Sequence, residues 1–261
     1  MATSGLAPLP ADDPALLELD LDGLADRWRG AMGRPPMSAE AMTGADRRAQ
    51  ALGVPGARLM EHAGRGVAAV VHALAVEQGR WKSGPILVLA GPGNNGGDGF
   101  VAARHLSRAG AQVIVVLVSS ENRPNTADAG RNWDRLEHEK VTRMHAAVPR
   151  DLGIVAQGVE KASVVVDALL GTGVRGLLRE PVRSAVELIR QARAAGVPVV
   201  AVDTPTAVDL TSGDLSDPVV RADVTVTFHR PKTGLLSRRG SAMAGRVLVA
   251  PIGIPPEADR G

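Results

Sequence analysis

The sequence predicts a doubly wound α/β fold, and three observations predict it. Apolar runs of strand length stand at 86–90, 113–118, 163–170 and 198–203, and runs this short and this apolar suit strands buried on both faces of a parallel sheet. Segments of helical period separate them. Each run then breaks into polar sequence, three of the four into glycine or a carboxylate, so polar groups collect past the carboxyl ends of the strands, where such a sheet has its cleft. Right-handed crossovers bring the loops at 91, 171, 203 and 229 to one side.

In chain order, residues 1–36 form an N-terminal arm with one amphipathic segment, Pro14 to Arg29, in which Leu16, Leu17, Leu21, Leu24 and Trp28 fall near helical spacing. This arm docks on the domain or on a second subunit; the alternative is a partly disordered tail. Residues 37–261 make one α/β domain without an internal repeat. Ser38 caps a helix that runs to about Leu52, where Gly53-Val-Pro-Gly56 interrupts it. The next helix, Ala57 to about Gln78, turns Met60, Ala63, Val67, Val70, Val71 and Leu74 to the core. Gly64 and Gly66 weaken it in isolation and so mark a close backbone approach. Glu61 and His62 line a site or cap a neighbour, and for a lone histidine the structural role is the better bet.

Residues 86–100 organise the rest. Ile86 to Ala90 is a buried strand, and Gly91-Pro-Gly-Asn-Asn-Gly-Gly-Asp-Gly99 packs five glycines into nine residues. Such a loop bends sharply and lets backbone N–H groups approach a ligand. A helix from Phe100 to Gly110 follows, and the N–H groups at its start attract phosphate. Gly91, Gly93 and Gly96 spell the dinucleotide pattern, with Glu121 placed where a ribose-binding acid could serve. The insert Asn94-Asn95-Gly-Gly-Asp98 puts two amides and a carboxylate where a hydride-transfer site needs only backbone. No Gly-Lys-Ser or Gly-Lys-Thr closes the loop, so it is not a P-loop.

Downstream the sequence predicts a helix from Thr126 to about Glu139, a strand over 141–146, a short helix over 151–157 and a helix from about Arg179 to Ala195. Strands follow at 222–228 and 246–250. Asp167 lies in a buried strand and Asp203 ends another; a carboxylate in such a place is costly unless it meets a cation or donors. The glycines at 171, 173 and 176 form a second ligand-facing loop.

Composition narrows the function. With 44% apolar residues and a formal net charge of +2, the chain reads as globular, and it has neither the basic blocks nor the aromatics of a nucleic-acid binder. It lacks cysteine, which removes disulfides, thiolate catalysis and cysteine metal sites. No run approaches the roughly 20 apolar residues of a membrane helix. The acidic N-terminal segment is no secretory or organelle leader, so the expected location is cytoplasmic. His138 and His145 lack the spacing of a zinc pair.

The candidate constellation is Asp98, Asp167 and Asp203, with Lys232 the nearest base and Thr206 a hydroxyl. Three aspartates with little counterweight require a bound cation or a raised pKa. Oxygen ligands suit a hard cation rather than zinc. The plainer reading of an Asp after a strand, a turn former or helix cap, is less apt for three on one edge.

From about Pro36 to Pro251 the sequence resembles the NAD(P)HX epimerase family, the YjeF N-terminal domain. The resemblance rests on Leu59-Met-Glu-His-Ala-Gly64, the 91–99 segment, Val166-Asp-Ala-Leu-Leu-Gly-Thr-Gly173, Val202-Asp-Thr-Pro-Thr-Ala-Val-Asp209 and Phe228-His-Arg-Pro-Lys-Thr-Gly-Leu235. It implies a three-layer α/β/α sandwich with a Rossmann-like, mostly parallel sheet, usually a homodimer. The implied activity interconverts the R and S forms of hydrated NADH and NADPH at C6 of the nicotinamide ring, for nucleotide repair. Substrate contacts then map onto Asn94, Asn95, Gly96, Gly97 and Asp98, onto Gly171, Thr172, Gly173, Val174, Arg175, Gly176 and Leu177, and onto Asp203. A potassium ion maps onto Asn95, Asp167 and Thr206. Asp203 is the first choice for acid or base at C6 and Asp98 the second, while Lys232 offsets charge near the pyrophosphate, donates a proton or has a purely structural role, the last at least as apt as the others.

The sequence departs from the family pattern at His62 for Asn, Leu170 for Phe and Thr206-Ala207 for Ser-Gly. Threonine keeps the hydroxyl, whereas Ala207 is strained if its turn needs a positive φ. His62 adds a group that could titrate near neutral pH. The S-specific dehydratase is expected on a separate chain. Two other functions compete: a catalytically silent homologue serving as dimeric scaffold or binding module, which Ala207 and the arm favour, and a Rossmann-type oxidoreductase, which would show a nicotinamide redox change.

Overall fold

Strand-length runs of valine, isoleucine and leucine leave no polar face, so they assemble where both sides are covered. In the computed structural model, which describes residues 7–171 and 176–260, seven strands form one sheet, four of them runs of this kind. They are β1 (Ile86–Ala90), β2 (Val113–Val118), β3 (Val141–Ala146), β4 (Val164–Ala168), β5 (Val199–Val202), β6 (Val224–Phe228) and β7 (Arg246–Ala250). Their order is β3-β2-β1-β4-β5-β6-β7 and every pairing is parallel. The direction of winding reverses between β1 and β4, and a crevice opens past the carboxyl ends there.

The helices in chain order are α1 (Leu21–Arg27), α2 (Arg29–Met32), α3 (Ala39–Ala51), α4 (Gly56–Glu77), α5 (Asn94–Arg108), α6 (Ala127–Arg135), α7 (Gly153–Ala156), α8 (Val182–Ala194), α9 (Thr233–Leu236) and α10 (Arg238–Ala244). Alternation along the strands splits the core in two. Val88, Val166, Val202 and Val226 pack with α4 and α5, while Leu87, Leu89, Val165 and Ala201 pack with Ala185, Val186 and Ile189 of α8. Among the described residues no helix is long and apolar enough to cross a membrane.

Two segments differ from the sequence expectation. The amphipathic stretch over 14–29 is not one helix: a 3-10 turn covers Leu16–Glu18, and the Asp20 carboxylate then accepts from Gly23 N–H at 2.7 Å to start α1 afresh. Leu16, Leu21, Leu24 and Trp28 are nonetheless buried in the same core as α4. The other difference lies at the site. Helix α5 begins at Asn94 rather than Phe100, so most of the glycine-rich stretch is helix and only Gly91-Pro92-Gly93 is loop.

None of the five glycines between 91 and 99 has a positive φ. They serve close approach instead. A Cβ on Gly91 would strike the Leu169 carbonyl, one on Gly96 the Gly91 carbonyl, and one on Gly99 would lie 2.7 Å from Ala168 Cβ. Bare backbone thus lets the first turns of α5 press onto β1 and β4, and carries Asp98 into the crevice.

Candidate active site

A cleft of about 230 Å³ opens at the carboxyl edge, between the sheet and helices α3, α4, α5 and α6. Asn94 and Asp98 reach it from α5, Asp203 from the end of β5, Asp46 from α3 and Asp128 from the start of α6. Met42, Met60, Phe228 and Ile252 supply apolar wall. Asp98 and Asp203 therefore meet as the sequence predicted. The other two carboxylates were missed because nothing local to residues 39–51 or 127–135 shows that those helices fold over the crevice.

The carboxylates differ in what holds them. Asp98 is 9% exposed and accepts no hydrogen bond among the described residues. Burial, with the nearby charges of Asp203 and Asp46, pushes its carboxyl well above the usual range. Asp46 is also raised, by burial first; the hydrogen bond from Gln50 Nε2 at 2.9 Å opposes this and the Asp128 charge adds to it. Asp128 pairs with Arg131. Asp203 has a different setting: Thr227 Oγ1 donates to its Oδ1 at 2.8 Å, and Lys232 Nζ lies 3.6 Å from the same oxygen.

Asp203 is also strained. Its φ is 61°, and Thr204 N–H donates to Val202 O at 2.7 Å, closing a left-handed γ-turn on the first residue past β5. Backbone of this kind costs about 1–3 kcal/mol and persists only where its surroundings enforce it. His229 repeats the turn past β6, with φ 66° and Arg230 N–H donating to Phe228 O at 2.7 Å.

Lys232 stands behind this edge rather than in the cleft. It is fully buried, and its Nζ donates to Thr227 Oγ1 at 3.0 Å, Phe228 O at 2.8 Å and Arg230 O at 3.1 Å. All three hydrogens thus go to protein acceptors, the arrangement of a structural role, which was one of the roles expected of it. Burial lowers its pKa, and the Asp203 charge opposes that shift.

Asp167 does not share the cleft either. It points to the α8 side of β4, where Thr206 N–H donates to Oδ2 and Thr206 Oγ1 to Oδ1, both at 2.7 Å. Leu169 N–H adds a contact at 3.3 Å, and Leu170 N–H donates to Thr206 Oγ1 at 3.2 Å. The three aspartates thus form a pair in the cleft and one carboxylate outside it. Asn95 lies against Gly171, whose Cβ would come within 3.3 Å of the Asn95 amide, and its buried Nδ2 has no acceptor among the described residues.

Asn95, Asp167 and Thr206 fit a hard cation by the chemistry of their donors. No positive side chain pairs with the Asp167 carboxylate among the described residues, and burial raises its pKa to about 6 against the pull of Thr206. The orphaned Asn95 amide, turned over, presents an oxygen instead of an NH₂ group.

Ala207, next in the chain, has φ 76°, so the strain expected from its methyl group is present.

The remaining expected contacts scatter. Gly96 and Gly97 are buried against backbone and Met60. Gly176, at φ 89°, lines a separate cavity of about 470 Å³ with Ala207, Asp209 and Thr211, and Leu177 is 83% exposed. Thr172, Gly173, Val174 and Arg175 lie outside the described residues. His62 is buried and accepts from Ala11 N–H at 3.0 Å, so it fastens the arm to α4. Glu61 pairs with Arg104 and His105 between α4 and α5. Neither lines the cleft.

The N-terminus of α5 completes the arrangement. Gly93 caps it without a side chain, and the first intrahelical bond runs from Gly97 N–H to Gly93 O at 3.1 Å. The N–H groups of Asn94, Asn95 and Gly96 thus begin a 15-residue helix without intrahelical partners, beside the acidic cleft.

Comparison with known proteins gives the family. Residues 56–234 match the family described as YjeF-related protein N-terminus. The chain is 35% identical over 226 residues to an NAD(P)H-hydrate epimerase of Cenarchaeum symbiosum, covering 86% of this chain and 98% of that protein. It is 44% identical over 221 residues to a bifunctional NAD(P)H-hydrate repair enzyme Nnr of Pyrobaculum aerophilum, covering 82% of this chain and 41% of that protein. The chain therefore spans less than half the length of such bifunctional relatives. The crystal structure of yeast ynu0 superposes with a TM-score of 0.65 at 28% identity, covering 77% of this chain and 83% of that one.

Proposed function

The chain belongs to the family of YjeF-related protein N-termini, and on that premise we propose that it is an NAD(P)HX epimerase, an isomerase that exchanges the R and S forms of hydrated NADH and NADPH. One observation carries the reading: Asp98, buried and without a donor among the described residues, and Asp203, held by a donor, face one cleft. Two carboxyl groups in unlike settings are what an acid and a base require.

In the substrate a hydroxyl sits on C6, next to the ring nitrogen. A carboxylic acid protonates that hydroxyl, the C6–O bond breaks, water departs, and the nitrogen lone pair closes an iminium cation. Water then adds to the opposite face and gives its proton to a carboxylate. Asp46 and Asp128 join Asp98 and Asp203 in stabilising the cation as it forms. The open N–H groups of α5 receive the pyrophosphate.

Asn95, Asp167 and Thr206 would hold a potassium ion, whose chemistry is to balance the buried carboxylate and tie β4 to the loop after β5. With this reading go a homodimer and a cytoplasmic location, which sedimentation and fractionation test. Dehydration of the S form belongs to a different active site, the functional partner of this one.

The deciding assay supplies hydrated NADH depleted of its S form, together with an S-specific dehydratase, and follows NADH recovery. Recovery faster than spontaneous epimerisation is expected. The strained Ala207 beside Thr206 favours a second reading, a silent dimeric scaffold, and recovery at the spontaneous rate would select it.

A further inference from the structure

The ammonium of Lys232 has three hydrogens and no lone pair. Two go to Phe228 O and Arg230 O, carbonyls that can only accept, and the third goes to Thr227 Oγ1. That contact dictates the next one. A hydroxyl has a single hydrogen, and because Thr227 Oγ1 is receiving from Lys232, its own hydrogen must point away, to Asp203 Oδ1 at 2.8 Å. Lys232 itself, at 3.6 Å, is too far to hydrogen-bond that oxygen, so the threonine carries the link.

Thr227 is wholly buried in β6, between Val226 and Phe228, where valine would pack as well and place no polar atom in the core. Its neighbour Thr225 donates through Oγ1 to the Ala244 carbonyl at 2.7 Å, a side-chain bond to backbone. Thr227 alone of the two donates to a side chain of the cleft. The charged groups arranged around Asp203 are Lys232 from behind and Asp98, Asp46 and Asp128 across the cleft. Of these only Lys232 favours a carboxylate, and it acts through the hydroxyl.

We propose that Thr227 is a positioning residue for the epimerisation: it relays the Lys232 ammonium to Asp203, presenting that carboxylate as the proton acceptor and leaving Asp98, to which none of the described residues donates, as the proton carrier. This rests on the epimerase reading. In the forward turn the Asp98 O–H bond breaks as its proton passes to the C6 hydroxyl, and the C6–O electrons leave with the water. A second water bonds to C6 from the other face and its proton passes to Asp203. One proton has crossed the cleft, and exchange with solvent returns the site to its starting form; the opposite epimer runs the same steps backwards.

The test uses the full chain with Thr227→Val and Thr227→Ser in the dehydratase-coupled assay. Valine is expected to lower kcat by about ten- to a hundredfold, as loss of one hydrogen bond to a charged group would, with KM changed by less than about twofold. Serine restores kcat to within a few fold. On an Asp203→Asn background Thr227→Val costs nothing further. If valine unfolds the chain in a thermal melt, Thr227→Cys, with its weaker donor, carries the same expectation in smaller measure. A folded valine variant with wild-type kcat, or one that serine does not rescue, overturns the relay and leaves the epimerase standing. Wild-type protein that does not accelerate epimerisation overturns both.

Discussion

Thr206 grips Asp167 twice, its backbone N–H bonding Oδ2 and its hydroxyl bonding Oδ1, each at 2.7 Å. The same hydroxyl accepts from Leu170 N–H, so one threonine joins the loop after β5 to the end of β4. Thr206→Val keeps the backbone bond and removes the rest. A loss of about 1–3 kcal/mol is expected in a denaturant titration, the cost of taking a donor from a buried carboxylate. Activation by potassium over choline chloride, expected of the wild type, falls in the variant. An unchanged potassium response would remove Thr206 from the cation set.

Ala207 holds a left-handed backbone, φ 76°, that costs a residue with a Cβ about 1–2 kcal/mol. Ala207→Gly relieves that strain, less the entropy glycine loses on folding and the burial of one methyl group. A net gain of up to about 1 kcal/mol is the expected outcome. A lower unfolding midpoint in the variant would show that methyl packing outweighs the strain.

Glu61 supplies a pH dependence. Partial burial alone would raise its carboxyl, but the His105 hydrogen bond and the Arg104 guanidinium outweigh this and hold it at about 2, below its ordinary 4.5. A depressed carboxyl contributes stability that is present above pH 4.5 and is lost as pH falls toward 2. Glu61→Gln is therefore expected to be less stable than wild type at pH 7, by about 1–2 kcal/mol after solvent screening. The two should converge only as pH falls through about 2. Urea titrations across that range read the difference, and a gap independent of pH would count against the ion pair.

Gly64 sets the distance between α4 and α5. A Cβ there would lie 2.6 Å from Asp98 O and nearer still to Val101. Gly64→Ala is expected to cost about 1–3 kcal/mol through overpacking. Because the displaced segment carries Asp98, kcat should fall more than folded content does. Circular dichroism with the coupled assay separates the two; unchanged kcat per folded molecule would mean that α5 is not held in place from this side.

Much of the architecture was legible because its signals are local. The apolar runs at 86–90 and 199–202 are strands buried on both faces, and Ser38 caps α3 with its side chain accepting from Ala41 N–H. The pairing of Asp98 with Asp203 was legible too, since parallel topology delivers every strand end to one edge. The start of α5 was misjudged because five glycines and two asparagines score as loop. Contact with β1 and β4 overrides that propensity, for only residues without a Cβ let a helix come so close.

The sequence alone determined a doubly wound sheet, a one-sided edge of acids and glycines, and the residue whose methyl group strains the turn after β5, because periodicity, chirality and the need for Cβ-free positions act over a few residues. Tertiary structure alone decided that Asp167 turns to the far side of the sheet, that Asp46 and Asp128 close over the cleft, and that Lys232 reaches Asp203 through Thr227. Those outcomes depend on which side of a pleat a carboxylate takes and on where distant helices settle, and no stretch of chain contains both partners.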